Sequence, residues 1–265
     1  MTQLQEQKWQ IPHYEIYNLA DKKSKYCVCI FVINEGEKIQ KQLKKMGSIS
    51  ETIDVIIADG GSTDNSLELN FLKQVNVRTL LIKKDRGKLS SQMRMAFAYA
   101  LQEGYQGIIT IDGNNKDDPR AILDFMKALD EGWDHLQGSR FIPGGKAINT
   151  PWERYLAIRL IHAPLISLAS GFHYTDTTNG FRAYSRRFLL DTNVNPFRDI
   201  FSVYELHYYL SIRANKLGYR VKELPVTRSY PLNQPTPTKI SPIKGNLRVM
   251  ITLIKACLNQ YNPFY

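Results

Sequence analysis

Three apolar runs, each ending in an acid-bearing turn, limit what this chain can fold into. Tyr26–Ile33, Asp54–Ala58 and Ile108–Asp112 are short and rich in β-branched residues. They lead into Asn34-Glu35-Gly36, Asp59-Gly60-Gly61-Ser62-Thr63-Asp64 and Gly113-Asn114-Asn115-Lys116-Asp117-Asp118-Pro119. Uninterrupted apolar runs of this length are the pattern of strands covered on both faces, as in parallel sheets. Helical spacing fills the intervals, with Ile39, Leu43 and Met46 after the first run and Leu67 and Phe71 after the second. The clearest helix is Leu89–Glu103, carrying Met93, Ala96, Phe97, Ala100 and Leu101 on one face. Another follows Pro119, with Ile122, Phe125, Met126 and Leu129. This alternation predicts an α/β fold, a mostly parallel sheet flanked by helices. The carboxyl ends of parallel strands share one edge, and ligands in open α/β sheets bind there. One acidic turn is weak evidence of a site; three at one edge are stronger.

Asp112 closes its strand where a carboxylate can meet a metal-bound or phosphate-rich ligand. Asp118 and Pro119 also match ordinary helix-start chemistry, as N-cap and first helical residue. The paired glycines after Asp59 let the backbone turn tightly and approach a ligand, and Asp64 or Ser62 is placed to cap the helix that follows. Arg78–Ile82 reads as a further strand.

The formal charge of +10 points to an anionic partner. Lysines and arginines are spread along the chain without a zinc-finger, RNA-recognition or helix-turn-helix signature, which argues against nucleic acid. Cys27 and Cys29 alternate on one strand and, with Cys257, form no paired framework, so a reduced cytosolic protein is expected. Residues 1–12 carry no signal-peptide core, and no run reaches the ~18 apolar residues of a membrane span. Tyr230–Pro242, with four prolines, reads as the loosest stretch.

The second half changes character. Asp134–Gly138 reads as a strand running into Gly138-Ser139-Arg140 and the flexible Pro143-Gly144-Gly145. Trp152–Phe172 is a long apolar helical stretch with Arg154, Arg159 and His162 embedded in it. Asp176-Thr177-Thr178-Asn179-Gly180-Phe181-Arg182 is a polar turn ending in a cation. Val203–Leu217 reads as a helix with Glu205 among aromatics, and Arg220–Arg228 as a strand. In Lys244–Asn259 an apolar face of Leu247, Met250, Ile251, Ile254 and Leu258 suits either an interfacial helix or one packed on its own domain. The stretch 152–172 likewise suits either a membrane plane or a core.

From about Tyr26 to Ile240 these segments, in this order, resemble the family 2 glycosyltransferases of GT-A fold, and among them the polyprenyl-phosphate (dolichyl-phosphate mannose synthase-like) group. Asn34-Glu35, Asp59-Gly60-Gly61-Ser62-Thr63-Asp64 and Asp112-Gly113-Asn114 are similar to the family's Asn-Glu, Asp-Asp-Gly-Ser-x-Asp and Asp-x-Asp motifs. Asp118-Pro119 resembles the end of the last motif. Gly138-Ser139-Arg140-Phe141 with Gly144-Gly145, Asp176 through Arg182, and Pro237-Thr238-Lys239-Ile240 resemble segments more particular to the group. The resemblance implies residues 1–25 as an N-terminal extension, 26–230 as the GT-A domain, and 231–265 as a Pro-rich loop with a C-terminal amphipathic helix.

It also implies inverting transfer of a sugar from a nucleotide-sugar to a lipid phosphate, by a cytoplasmic enzyme held peripherally at the inner membrane face. Asn34, Glu35, Asp59 and Gly61 would hold the nucleoside. Asp112, Gly113 and Asn114 would hold the donor diphosphate, with Asp112 and Asn114 on a divalent cation, Mg²⁺ or Mn²⁺. Arg140 and Arg182 would lie at acceptor or leaving phosphates, with Lys88 as a further candidate for binding the donor phosphates. Asp176 would act as a base or orient Arg182; Glu205 would serve the acceptor or be a structural hydrogen bonder.

The chain also departs from the pattern. Phe31-Val32-Ile33 stands for Pro-x-Tyr, Gly60 for the second Asp of Asp-Asp-Gly, Asn114 for the second metal-site Asp and Lys116 for a Gln. An amide and an ammonium weaken a hard dication's site, so either Lys116 supplies part of the missing positive charge or it points to solvent. Two other readings stay open: transfer to a sugar hydroxyl, which needs a base at Asp176 or Glu205, and a degenerate, non-catalytic binder of nucleotide-sugar. No oligomeric state is indicated.

Overall fold

The computed structural model describes residues 9–232 and 244–263. The chain starts with an edge strand, β1 (Tyr14–Asn18), inside the segment read as an extension. Then follow β2 (Tyr26–Val32), β3 (Asp54–Asp59), β4 (Val77–Lys83), β5 (Gly107–Asp112) and β6 (His135–Ser139). β7 (Lys146–Ile148), β8 (Arg182–Ser185), β9 (Val221–Pro225) and β10 (Thr227–Ser229) complete the strands. Eight of them form one sheet in the order β1-β4-β3-β2-β5-β8-β6-β9. Within it β1 and β8 run antiparallel to their neighbours, and the remaining pairs are parallel. β7 and β10 pair separately, in parallel.

Every residue of β2 and β3 is buried, as the apolar runs Tyr26–Val32 and 55–58 require, and Asp54 and Asp59 are buried with them at the ends of β3. One face of the sheet packs on helices Leu89–Gln102 and Glu205–Lys216, the other on Glu37–Met46 and Ile122–Asp130. Cys27 and Cys29 lie in the first of these cores as free thiols. In register, Val32 lies beside Asp59 and Phe31 beside Asp112. The three acidic turns therefore meet at one edge.

Several local expectations change. The helix after β3 is Leu69–Gln74, and Asp64 caps nothing there. Its carboxylate instead accepts the Gly36 amide (2.8 Å), Ser66 N (3.1 Å) and Ser66 Oγ (2.7 Å). The Trp152–Ser170 stretch is helical throughout but contains a π turn at Ile158–His162. The C-terminal helix Lys244–Cys257 packs on its own domain and leaves one apolar face exposed. Leu253 and Ala256 are buried in the core against the Glu205–Lys216 helix, while Leu247, Ile251, Ile254 and Leu258 form an exposed stripe. Pro237-Thr238-Lys239-Ile240 and most of the Pro-rich stretch lie outside the described residues. No helix among the described residues is long and apolar enough to cross a membrane.

Candidate functional site

At the strand edge the first two turns are laced together. Asn34, with a left-handed φ of 47°, accepts Thr63 N through Oδ1 at 2.8 Å and donates its own amide to Ser62 Oγ at 2.9 Å. Asp59 accepts both the amide and the hydroxyl of Ser62, at 2.9 and 2.6 Å. Gly61 adopts φ +97°, a conformation that favours glycine. Gln92, which sequence reasoning passed over, donates to Val32 O and Ala58 O (2.9 and 3.0 Å), joining the ends of β2 and β3. Glu35 lies 3.8 Å from Lys38, and Lys88 is exposed at the start of the Leu89–Gln102 helix, its backbone amide on Ser202 O. This part of the edge is built from small hydroxyls and backbone amides.

The Asp112 turn is charged. Gly113 passes so close to β2 that a Cβ would fall 2.8 Å from Val32 Cγ2. β10 runs beside the turn, with Asp118 N donating to Thr227 O and Ser229 N to Lys116 O. This pairing brings Arg228 inward, where it donates to Asp112 Oδ2 at 3.0 Å and forms a short bond to Asp117. Asn114 Nδ2 reaches Asp112 at 3.4 Å, and Asn114 Oδ1 accepts Lys116 N at 3.3 Å. Burial pulls the Arg228 pKa down, but Asp117 and Asp112 outweigh it and hold the guanidinium above its ordinary value. Asp117 is fully buried, which raises its pKa against the pull of Arg228. Asp118 keeps its helix-start role, accepting Arg120 N at 3.1 Å.

Lys116 does not point to solvent. It is buried, with Nζ 5.0 Å from the centre of the Tyr230 ring. Burial and then Arg228 lower its pKa, with Tyr230 and Asp112 opposing. The guanidiniums of Arg154 and Arg228 lie 5.9 Å from the same ring centre. Burial pushes the Tyr230 phenol up, yet Arg228, Arg140 and Arg154 outweigh that and leave it below its ordinary pKa. Arg140 is itself buried on Asp176, with Nε at 2.6 Å and Nη2 at 3.0 Å, and donates to Thr178 Oγ1 at 2.9 Å. Burial depresses its pKa, and Asp176 more than reverses the effect. The cluster thus sets Lys116, Arg140, Arg154 and Arg228 against Asp112, Asp117 and Asp176, a surplus of positive charge suited to phosphate.

Two expectations, for Arg182 and Asp176, are corrected, and the open alternative for Glu205 is decided. Arg182 is not presented to phosphates. It is 1% exposed and donates to Thr177 O, Asn179 O, His207 O and Ser211 Oγ at 2.7–3.0 Å. β8 is antiparallel and pairs Arg182 with Thr110, below the Asp112 turn, and the side chain lies among the acceptors of the Glu205–Lys216 helix. Asp176 orients Arg140 and not Arg182, and its complete burial leaves it no access as a base. Glu205 accepts the amides of Ser202 and Val203 at 3.0 and 2.6 Å, a structural role at the start of its helix. Sequence reasoning also missed Asp117, hidden within a run of polar residues, and Arg228 and Tyr230. Their only signal was a charged and an aromatic residue at alternate positions beyond Val226.

Among the described residues no three His, Cys, Asp or Glu side chains stand together as metal ligands. Asp112, about a quarter exposed, and the Asn114 amide supply one anionic and one neutral oxygen. Such a pair would hold a hard dication with the Asn114 amide turned so that Oδ1, and not Nδ2, faces Asp112, and with further oxygens from a diphosphate and water.

The glycosyl transferase family 2 profile matches residues 27–191. Over 207 residues the chain is 26% identical to a polyprenol monophosphomannose synthase of Mycolicibacterium smegmatis, covering 76% of each protein. It is 24% identical over 197 residues to an undecaprenyl-phosphate mannosyltransferase of Micrococcus luteus, covering 73% of this chain and 79% of that one. In three dimensions it resembles the glucosyl-3-phosphoglycerate synthase of Mycobacterium tuberculosis, solved with Mn²⁺, UDP and phosphoglyceric acid. That likeness has a TM-score of 0.60 at 17% identity and covers 88% of this chain and 78% of the other.

Proposed function

Since the chain belongs to glycosyl transferase family 2, we propose that it transfers a sugar from a nucleotide-sugar to a polyprenyl phosphate at a membrane surface. The cation surplus around Tyr230, beside Asp112 at the strand edge, carries this reading. A lipid phosphate is the acceptor named for the Mycolicibacterium and Micrococcus relatives.

A phosphate acceptor is already anionic at neutral pH, so the site must position it and needs no strong base. An acceptor oxygen attacks the anomeric carbon as the bond to the donor diphosphate breaks. The electron pair leaves with the nucleoside diphosphate, and configuration inverts. Arg228 and Lys116 are placed for the departing diphosphate. Arg140, whose Nε and Nη2 are held by Asp176, is assigned to the acceptor phosphate through its remaining nitrogen, Nη1. A divalent cation on Asp112 and Asn114 would add positive charge at the diphosphate. Asn34, Glu35, Asp59 and Gly61 are assigned to the nucleoside, where the laced turns offer hydroxyls and amides, and Lys88 to the donor phosphates. With Asp176 and Glu205 engaged in the fold, a sugar-hydroxyl acceptor has no base among those candidates.

Membrane contact falls to the exposed Trp152, Leu160 and Leu168 together with the Leu247–Leu258 stripe, flanked by Arg159, Arg248 and Lys255. The test is a panel of UDP-, GDP- and CDP-linked sugars with a short polyprenyl phosphate in Mg²⁺, Mn²⁺ and EDTA. Transfer to the lipid supports the assignment, and transfer surviving EDTA but lost in Lys116→Met assigns the missing charge to Lys116. Donor binding without transfer to any polyprenyl phosphate overturns the acceptor.

A further inference from the structure

One aromatic ring gathers cations that would otherwise repel each other. Lys116, Arg154 and Arg228 come from three separate segments: the turn after β5, the Trp152–Ala157 helix and β10. All three place their charge 5.0–5.9 Å from the Tyr230 ring centre. The ring is 6% exposed and its backbone is fixed from both sides. Tyr230 N donates to Ile148 O at 3.0 Å, and Asn149 Nδ2 donates to Tyr230 O at 3.2 Å. The negative face of a buried ring attracts cations, and this ring has three within 6 Å of its centre. Asp112 and Asp117 hold Arg228 from its far side.

We infer that Tyr230 is the positioning residue of the anion site: its ring preorganises Lys116, Arg154 and Arg228 for a diphosphate or phosphate before any ligand arrives. The inference rests on the anion-binding reading above and adds what keeps the site assembled when empty. Preorganisation of this kind raises affinity by removing the cost of ordering side chains on binding. Tyr230 itself need not touch the substrate.

The test uses the full chain and inorganic pyrophosphate as probe, with affinity measured by calorimetry and folding by circular dichroism. Tyr230→Phe should keep pyrophosphate affinity within about threefold, and Tyr230→Leu should lower it by about tenfold or more. Placing phenylalanines of increasing fluorination at position 230 drains the ring's negative face at nearly constant size. Affinity should then fall stepwise with fluorine number, which a mere packing role would not produce and which does not depend on the Leu variant folding. An affinity that is flat or rises across the series overturns the inference while leaving the anion site intact. Wild-type protein that binds no pyrophosphate and transfers no sugar overturns the site reading itself, and Tyr230's role with it.

Discussion

Arg182 and Arg228 are both buried arginines near the same sheet edge, and they are held in opposite ways. Arg182 faces neutral acceptors: three backbone carbonyls and one serine hydroxyl. Arg228 faces two carboxylates, of which Asp112 is partly open to solvent. A guanidinium whose donors are spent on carbonyls of the Thr177–Asn179 turn and the Glu205–Lys216 helix ties these segments together, and moving it would orphan several buried acceptors at once. A guanidinium on carboxylates at the strand edge has partners for which a phosphate can substitute. Burial alone therefore does not separate the two arginines; the charge of their partners does.

The strongest test of this distinction is Arg182→Met. It should lower stability by about 3–5 kcal/mol, because four buried acceptors lose their donor and Asn179 and Thr177 lose their anchor. Urea denaturation measures the loss, and the fraction that remains folded should turn over within about threefold of wild type. A variant that is fully stable yet inactive would put Arg182 at the phosphates after all. Next comes Arg228→Lys, which keeps the charge but cannot bridge Asp112 and Asp117. Transfer should fall about 10²-fold, roughly 2.7 kcal/mol of transition-state stabilisation, with a far smaller change in urea midpoint than Arg182→Met. Equal losses of stability would erase the difference between the two.

Acid tests the interior around Arg182. His135 is buried in stacking contact with Tyr184, 5.2 Å between ring centres. Burial, and then Arg182, push its pKa down to about 3. Burial also holds His207 well below its ordinary range. Below the unfolded value of about 6.5 the unfolded chain binds protons that the folded one refuses. Stability should therefore be full above that pH and decline as pH falls from about 6.5 towards 3. His135→Phe should flatten this decline in thermal melts, and an unchanged acid profile would exclude His135 as a source. The smallest effect belongs to Asp118→Ala, about 1 kcal/mol for a lost cap, with transfer unchanged. A large activity loss there would draw Asp118 into the site.

Much of this architecture was readable from local pattern. β2, β3 and β5 are apolar runs whose ends are marked by Asn34, Asp59 and Asp112, and period and turn chemistry suffice to find them. The parallel register that sets these ends side by side follows from the αβ alternation. The roles of Asp176 and Arg182 were not readable, because a salt bridge and a carbonyl cage look alike in a one-dimensional string. Arg228 and Tyr230 lay outside any recognised turn. Their importance comes from β10 running beside the Lys116–Asp118 turn, and no local propensity encodes that pairing.

By itself, then, the order of residues determined the sheet, the edge where its acids gather and a chain rich in cations, since these depend on periodicity and composition. Only the tertiary structure decided which cations meet carboxylates at the strand edge and which are spent on carbonyls of the fold. That choice depends on whether a carbonyl or a carboxylate lies within about 3 Å of each guanidinium, a distance set by strands and helices that meet from remote parts of the chain.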